Sequence, residues 1–419
     1  MVYLGRLSLP NGRGKEFGMR NYRVAIVGGG FSGLVSAIIL SERFGGKNVA
    51  LLEKNDRVGK KILATGNGRG NITNLEITAD NYHSQNGFDV KNAIEKYGNK
   101  SIIDFFYKLG IPVTTDGNRV YPASLQASSI LDAMREKLDY LKTEIFTEAE
   151  CREIKSDGGA FVLKTDGFDC RAQNVIFAVG GKCGKQYGTD GSAFGVIEKL
   201  GVKITDLHPA IVQLKTETDK IRGLKGLKEK AVVSAYDGDK FLKSFYGDVL
   251  FTDFGISGNA AFYLSSYLVG VKSPSAVISF TEKSQEELAD FLIEKVKNLP
   301  YVTLENLLNG VMNKQVGRAV VKSSGVKDTG ENSLKKIAAT AKKFTLKVTG
   351  TLGFDYAQVT RGGVPFSAVD DCFELKNARG LFVVGEALDA DGDCGGYNLQ
   401  WAYSSARVAT DKITAKQNR

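Results

Sequence analysis

The sequence RVAIVGGGFSGLVSAIIL, residues 23–40, determines the fold prediction for this chain. It opens with an apolar, largely β-branched run over residues 24–27, which is typical of a buried parallel strand. A glycine-rich turn follows, and the mostly apolar residues 34–40 continue with the character of a buried helix. A strand, the pattern G-x-G-x-x-G and a helix in this order predict the first unit of a dinucleotide-binding domain.

The three spaced glycines have separate physical roles. Gly28 permits the tight turn after the strand, Gly30 lets the backbone approach a pyrophosphate, and Gly33 lets the helix pack closely on the strand. The free N–H groups and the partial positive charge at the helix N-terminus favour the same anion. We therefore expect this loop to contact a dinucleotide through Gly28, Gly30, Phe31, Ser32 and Gly33.

A second strand is predicted in NVALLEKN, residues 48–55, and it ends near Glu53, twenty residues after Gly33. A carboxylate at this spacing accepts hydrogen bonds from the 2′-hydroxyl of a ribose. Because that hydroxyl is free in FAD and NAD but phosphorylated in NADP, Glu53 favours FAD or NAD at this site. Lys54, the next residue, is assigned to the same cofactor site.

The segment DRVGKKILATGNGRGNITN, residues 56–74, has no apolar period and is predicted to be a long loop. Long loops in compact domains are usually functional or disordered. A helix normally begins sooner in a plain NAD dehydrogenase, so the extended loop is more typical of FAD enzymes. Its backbone N–H and basic groups suit a pyrophosphate or a flavin edge, and the candidates are Lys61, Gly66, Asn67, Gly68, Arg69 and Asn71.

Another apolar strand that ends in glycines is predicted in NVIFAVGG, residues 174–181. It is similar to the strand that re-enters a nucleotide-binding sheet beside the adenosine. Ala178 and Gly180 are therefore assigned to the cofactor site. The region between this strand and residue 350 contains no further G-x-G-x-x-G after a strand, which argues against a separate NAD(P) domain.

A second glycine-rich turn lies near the end of the chain, in GLFVVGEALDADGDCGGYNLQWAYSSARVA, residues 380–409. The pattern predicts a strand over residues 381–384, a loop, and a helix that Asn398 caps and that runs to about Lys416. Its N-terminus would stabilise the negative charge of a reduced flavin at the pyrimidine edge. The predicted contacts are Gly385, Glu386, Gly395, Gly396, Asn398, Leu399 and Gln400, while Trp401 and Cys394 are assigned to packing.

Seven motifs in this chain resemble, in the same order, a family of bacterial FAD-dependent flavoproteins that includes aminoacetone oxidases and a bile-acid dienone reductase. The resemblance covers nearly all of the chain from about Tyr22. The motifs are GGGFSG, GKKILATGNGRGNITN, NRVYPASLQASSILDAM, FAVGGKCGKQYGTDGSAFGVIEKLG, LFTDFGISGNAA, GTLGFDYAQVTRGGV and GEALDADGDCGGYNLQWAYSSA.

The resemblance implies an α/β fold, in which a Rossmann-like FAD-binding domain is formed by N- and C-terminal segments. An inserted β-barrel that carries a small helical subdomain interrupts this domain. It also implies that Asp389 holds the ribityl chain or the pyrophosphate region of FAD. The predicted boundaries are residues 22–201 and 350–419 for the FAD-binding domain, 202–258 and 337–349 for the barrel, and 259–336 for the helical subdomain, after a disordered leader at 1–21.

Three positions depart from the family pattern. Gly70 replaces a cysteine in the long loop, so no thiol can act there. Asp253 replaces a histidine and Asn259 a proline, so no acid–base role of that histidine carries over. These segments are expected to face the substrate cavity, and substrate identity is therefore not fixed by the resemblance.

The leading functional hypothesis is an oxidoreductase in which NADH or NADPH reduces FAD, and the flavin then reduces an activated C=C bond of an apolar substrate with a conjugated carbonyl. Tyr397 and Tyr187 are candidate proton donors, and Arg361 could orient a carboxylate or carbonyl. An oxidase of small amines or amino-ketones fits the same fold. A nucleic-acid-binding flavoprotein is a less favoured third hypothesis, because the lysines look dispersed in the sequence.

Composition limits the class of protein. The chain has 419 residues, a net charge of +9, five cysteines without a C-x-x-C pair, and two histidines that lie far apart. It has no apolar run of roughly 18 residues and no signal-peptide pattern. These features predict a soluble cytoplasmic protein of more than one domain, without a metal site, and they leave the oligomeric state open.

Overall fold

The computed structural model describes residues 19–87 and 90–415. The strands of this part of the chain, numbered in order, are β1 (Arg20–Val27), β2 (Val49–Leu52), β3 (Thr73–Asn74), β4 (Tyr82–His83), β5 (Val113–Asp116), β6 (Arg119–Pro122), β7 (Glu144–Phe146), β8 (Cys151–Asp157), β9 (Ala160–Thr165), β10 (Asp169–Phe177), β11 (His208–Ala210), β12 (Leu214–Thr216), β13 (Lys228–Asp237), β14 (Lys240–Phe251), β15 (Gly255–Ser257), β16 (Pro274–Ser279), β17 (Phe344–Thr351), β18 (Val359–Arg361), β19 (Leu381–Val383) and β20 (Asp391–Gly392). The α-helices are α1 (Phe31–Phe44), α2 (Lys91–Lys96), α3 (Asn99–Lys108), α4 (Ala127–Tyr140), α5 (Phe194–Glu198), α6 (Asn259–Ser265), α7 (Gln285–Asn298), α8 (Lys314–Ser324), α9 (Glu331–Lys342) and α10 (Tyr397–Ala415). No helix in the described ranges is long and apolar enough to cross a membrane.

The chain divides into two compact units. The first, which we call the cofactor unit, contains the residues up to His208 and those from Val359 onward. The second, the barrel unit, is Pro209–Gln358. The predicted boundaries fell at 201/202 and 349/350, so each differs from the observed division by fewer than ten residues.

The cofactor unit is organised around a sheet with the strand order β7–β2–β1–β10–β9–β8. The amino half of β10 pairs with β9 in antiparallel fashion, and its carboxyl half pairs in parallel with β19. Strand β2 is fully buried, as expected for a parallel strand that is covered on both faces. The N-terminal and C-terminal segments of the chain thus meet in one sheet.

Helices α1 and α10 pack against each other beside this sheet. Most of α1 is buried, as its continuous apolar sequence predicts. Trp401 on α10 is 1% exposed and packs among the rings of Tyr82, Phe366 and Phe373. The prediction that Trp401 belongs to the core is confirmed.

The barrel unit contains a closed barrel with the strand order β12–β15–β14–β13–β16–β17. Its core continues into the packing of α7, α8 and α9. The capping box at Ser284, in which the side chain accepts from Glu287 N–H at 3.0 Å, fixes the start of α7. A barrel with attached helices agrees with the fold class predicted from the sequence.

Three boundary predictions need correction. Residues 259–336 are not wholly helical, because β16 lies within them and closes the barrel between β13 and β17. Helix α9 continues to Lys342, beyond the predicted limit at residue 336, because its apolar stripe extends to Ala341. The predicted leader covers residues 1–21, of which residues 1–18 lie outside the described part of the chain. Its last residues are not a disordered leader, because Arg20 already pairs with Cys170 in the sheet.

Candidate functional site

The turns that follow β1, β2, β10 and β19 contain glycines or acidic residues, and they begin side by side at the same edge of the central sheet. Val27 pairs with Leu52 on one side and with Phe177 on the other, and Phe177 pairs with Val383. These residues are the last of β2, β1, β10 and β19, so the turns that follow them share the carboxyl edge of the sheet. Ligands of open α/β sheets bind at this edge. The register therefore brings together turns that are more than 350 residues apart in sequence.

The first glycine loop is tightly built at two positions and open at a third. A Cβ atom at Gly33 would lie 1.9 Å from the carbonyl oxygen of Gly28, and one at Gly28 would lie 2.4 Å from that of Ala178. A Cβ atom at Gly30 would meet nothing within 4 Å. The loop thus packs closely against the sheet and leaves space above Gly30, as a pyrophosphate site requires. Phe31 is buried and its ring stacks on Phe106 at 6.1 Å.

Glu53 lies beside this loop and is 7% exposed. Its Oε2 atom accepts a hydrogen bond from Gly29 N–H at 2.9 Å, and Oε1 accepts from the backbone N–H of Asn55 at 2.8 Å. These bonds fix the carboxylate at the end of β2, where the sequence placed it. The next residue, Lys54, forms an ion pair with Asp190 at 2.8 Å.

Lys61 and Glu386 connect the long loop to the C-terminal turn. Lys61 Nζ lies 2.8 Å from Glu386 Oε2, and Glu386 Oε1 accepts from Thr360 N–H at 2.9 Å. Two predicted cofactor residues from opposite ends of the chain therefore form one half-buried ion pair. Ser32 lies close to the same turn, because a Cβ atom at Gly385 would come within 2.8 Å of its hydroxyl oxygen.

The long loop contains short 3₁₀ turns between residues 60 and 68. Gly66 and Asn67 both have left-handed backbone angles, with φ of 57° and 55°, and Gly68 has φ of 83°. The guanidinium of Arg69 lies over the ring of Tyr121 at 4.5 Å. The contact with Tyr121 fixes the loop to β6. The role of Arg69 in binding the cofactor stays a prediction.

At position 70, where the resembling family has a cysteine, a Cβ atom would require a neighbouring side chain to shift. Gly70 has φ of 75°, and a Cβ atom there would lie 2.8 Å from Ile130 Cδ1. The long loop therefore packs against α4 at Gly70, the position at which the resembling family has a cysteine.

The C-terminal glycine turn packs on the strand β3 that ends the long loop. A Cβ atom at Gly396 would lie 2.4 Å from the carbonyl oxygen of Thr73. Asn71, oriented by its partners, accepts from Gly396 N–H at 3.1 Å. Thr73 also donates to Gln400 Oε1 at 2.7 Å, and Gln400 donates to the carbonyl of Tyr97 at 2.7 Å. Gln400 is fully buried, so it is part of the support for the turn, and Leu399 beside it is half-buried.

Asn398 does not cap α10, which begins one residue earlier, at Tyr397. Its Oδ1 atom accepts from Gly392 N–H at 2.8 Å, and its Nδ2 atom donates to the carbonyl of Gly392 at 2.9 Å. The prediction of a cap was wrong because the two glycines before the helix, Gly395 and Gly396, provide the turn. Asn398 instead holds β20 against the start of the helix.

Asp389 is fully buried and has one oxygen without a partner. Its Oδ2 atom accepts from the hydroxyl of Ser84 at 3.1 Å and from Gln85 N–H at 3.2 Å, while Oδ1 has no hydrogen-bond partner among the described residues. Burial raises the pKa of this carboxyl above its usual range. A buried acceptor without a partner is costly, and a hydroxyl of a bound ribityl chain is one group that would satisfy it.

The three candidate catalytic residues lie in different surroundings. Arg361 is 8% exposed and forms a bidentate ion pair with fully buried Asp391, with distances of 2.5 and 3.0 Å. Tyr397 is buried at the start of α10, and its ring meets Tyr82 edge-on at 6.1 Å. Tyr187 is the last residue of a short 3₁₀ turn, and its carbonyl accepts from the side-chain amide of Asn55 at 3.2 Å. The catalytic roles of all three stay predictions.

His83 was not assigned to the site from the sequence, but it lies beside two of the aspartates there. Its Nε2 atom lies 2.8 Å from Asp393 Oδ1, and its backbone pairs with Asp391 across β4 and β20. The histidine had been considered only as a metal ligand, and no metal-binding cluster occurs among the described residues. The spacing of three alternating aspartates, Asp389, Asp391 and Asp393, was the available signal for a polar cluster.

Comparisons with known proteins agree with this architecture. The HI0933-like protein Rossmann domain family matches residues 22–412. The chain is 33% identical over 399 residues to the 3-dehydro-bile acid delta(4,6)-reductase of Clostridium scindens, covering 92% of this chain and 98% of that protein. It is 28% identical over 397 residues to the ribosomal RNA dihydrouridine synthase of Haemophilus influenzae, covering 93% and 98%. The solved 3-ketosteroid delta1-dehydrogenase of Sterolibacterium denitrificans has a similar fold, with a TM-score of 0.50 and 12% identity over 95% of this chain and 100% of that one.

The residues present fit an FAD. The open space above Gly30, the buried carboxylate of Glu53 and the unpartnered Oδ1 of Asp389 would receive its pyrophosphate, ribose and ribityl groups. We conclude that the chain belongs to the HI0933-like Rossmann family and is an FAD-dependent oxidoreductase.

Proposed function

We propose that the protein reduces a C=C bond that is conjugated with a carbonyl group, with NADH or NADPH as the electron donor. The proposal rests on the chemistry that two relatives share, although they act on different substrates. A 3-dehydro bile acid has a carbonyl at C3, and its Δ4 and Δ6 double bonds are conjugated with it. The double bond that is lost when uridine becomes dihydrouridine is conjugated with the C4 carbonyl. Both names therefore describe the reduction of an enone-like bond.

When bound, FAD supplies the hydride chemistry of such a reduction. The chain supplies the surroundings. The amino end of α10 would stabilise negative charge at the pyrimidine edge. Tyr397 lies at this helix end and Arg361 contacts β20 through Asp391, so both are retained as candidates for proton donation and carbonyl orientation. His83, held by Asp393, is a further candidate proton donor.

The proposed reductase and an oxidase differ in the direction of electron flow, which is from NADH or NADPH to the substrate in the first and from the substrate to oxygen in the second. Anaerobic stopped-flow mixing of the FAD-loaded protein with NADH and NADPH follows loss of the visible flavin absorbance. We expect rapid bleaching by one nucleotide, slow reoxidation by air, and fast reoxidation by a substrate with a conjugated C=C bond. Bleaching by a small amine or amino-ketone, with none by either nucleotide, would contradict the reductase and favour the oxidase.

A small dienone and a uracil base in RNA are two candidate substrates for the same reaction. The RNA candidate is favoured by the Haemophilus relative and by the charge of the barrel unit, which contains 21 lysines and arginines against 16 aspartates and glutamates. An excess of basic residues attracts polyanions such as RNA. Incubation of the reduced enzyme with a 3-oxo-4,6-diene steroid or with ribosomal RNA, followed by mass spectrometry for a gain of two hydrogens, distinguishes the two.

A further inference from the structure

The barrel unit exposes aromatic side chains on the outer face of its sheet. Tyr246 and Phe241 on β14 are 57% and 53% exposed, and Val232 on β13 is 37% exposed. Tyr236 on β13 is half-buried, and its ring contacts Phe241 edge-on at 5.7 Å. We call the outward side of β14, β13, β16 and β17 the barrel outer face.

The register of the strands aligns these side chains in rows. Val232 pairs with Tyr246, and Tyr236 pairs with Phe241. Because residues directly opposite one another point to the same side of a sheet, the two rows belong to one face. The rows are separated by four residues of β13, which corresponds to about 13 Å. Serine and threonine side chains of β13, β14, β16 and β17 lie between and beside the rows.

Lysines lie along both ends of the face. Lys228 and Lys230 continue the outward alternation of β13 beyond Val232, while Lys347 lies in the row of Tyr236, two strands away. The ion pairs of Lys228 with Asp248, at 2.8 Å, and of Lys347 with Glu217, at 3.6 Å, are solvent-accessible. Exposed pairs contribute little to stability, so these lysines can exchange their carboxylate partners for phosphates.

We propose that the barrel outer face binds single-stranded RNA, with Tyr246 and Phe241 stacking on bases and the lysines contacting phosphates. Sheets that present aromatic rings beside basic side chains are a recurring way to bind unpaired nucleic acid. We favour RNA over an apolar partner because the barrel unit has an excess of five positive charges. The same excess argues against a second copy of this chain, because two such basic units would repel each other. This inference deepens the RNA candidate of the proposed function and rests on it.

The test uses the full FAD-loaded protein and a fluorescein-labelled oligouridylate of roughly ten nucleotides, followed by fluorescence anisotropy. Stacking of one base on one aromatic ring contributes about 1–3 kcal/mol, so the F241A/Y246A variant should bind at least about tenfold more weakly. Lys230→Glu should reduce both the affinity and the salt dependence of binding. The control is Tyr301→Ala, because Tyr301 is 78% exposed in the same unit but lies outside the sheet. The affinity of this variant for the oligouridylate should equal that of the parent protein.

Equal affinity of F241A/Y246A and Y301A for the oligouridylate would overturn the inference. So would the finding that F241A/Y246A converts a dimer into a monomer while the parent protein binds no RNA, because the face would then be an interface between copies. The reduction of a small dienone and the bleaching of the flavin by NADH or NADPH are measured in the same preparations. If those activities are absent while RNA binding depends on the face, the proposed reaction fails and the RNA surface stands.

Discussion

The candidate cofactor site and the barrel outer face differ in how the protein holds their side chains. The cofactor site is built from glycines, buried carboxylates and an ion pair whose atoms are fixed by short contacts, as at Gly33 and Asp391. On the barrel outer face, by contrast, Tyr246, Phe241 and Val232 are each more than one-third exposed. Substitutions in the first region should therefore disturb stability and binding together, whereas substitutions in the second should change binding alone.

The largest effect on stability is expected from the loss of a buried charge partner. Arg361→Met leaves the carboxylate of Asp391 buried without its arginine, which should reduce the free energy of unfolding by about 3–5 kcal/mol. The matched control is Arg222→Met in the barrel unit, because Arg222 pairs with Asp219 on the surface and such pairs contribute about 0–1 kcal/mol. Urea unfolding followed by circular dichroism measures the free energy of unfolding of both variants. Equal losses in this free energy would contradict the difference proposed between the two regions.

The next effect concerns the glycine loop. Gly33→Ala places a Cβ atom 1.9 Å from the carbonyl oxygen of Gly28, so α1 must shift away from the loop. We expect a loss of about 1–3 kcal/mol in stability and a protein that is purified without flavin colour. Gly195→Ala on α5 is the control, since a Cβ atom there meets nothing within 4 Å. A yellow G33A protein with full FAD content would show that close packing at this turn is not needed for the cofactor.

The sequence could predict the cofactor site because its signals are local. The turns after β1, β10 and β19 each contain a glycine within a few residues of the strand end, and the sheet register brings these turns to one edge. It could not predict that Asn398 binds Gly392 instead of capping α10, because the choice between these partners depends on how β20 packs. The barrel outer face was also missed, since Val232 and Tyr246 become neighbours only when β13 pairs with β14. Lysines and aromatic rings that look dispersed along the chain become one surface in this way.

Asp389 allows the fit of the cofactor to be tested through pH. Burial raises the pKa of its carboxyl in the folded protein, so the folded state holds this proton more tightly than the unfolded state. The contribution of Asp389 to stability therefore falls as the pH rises from the ordinary value near 3.8 through the raised pKa. Asp389→Asn removes this dependence, so the FAD-free variant should be more stable than the parent at neutral pH, by on the order of 1 kcal/mol.

The same substitution should weaken the binding of FAD, because the amide replaces an acceptor oxygen that has no partner within residues 19–87 and 90–415. Thermal unfolding of FAD-free protein between acid and neutral pH, together with titration of FAD, measures both quantities. Parallel stability curves for the parent and the variant would show that the buried carboxyl is not the titrating group.

The smallest effect is expected at the barrel outer face, and two adjacent valines of β13 provide the test. Val233 is fully buried and Val232 is 37% exposed, because successive side chains of a strand point to opposite faces. Val233→Ala should cost roughly 2 kcal/mol of stability, whereas Val232→Ala should change it by less than about 0.5 kcal/mol. Denaturant unfolding of the two variants compares them directly. If Val232→Ala costs as much as Val233→Ala, then Val232 is covered in solution, and a face covered by protein is closed to RNA.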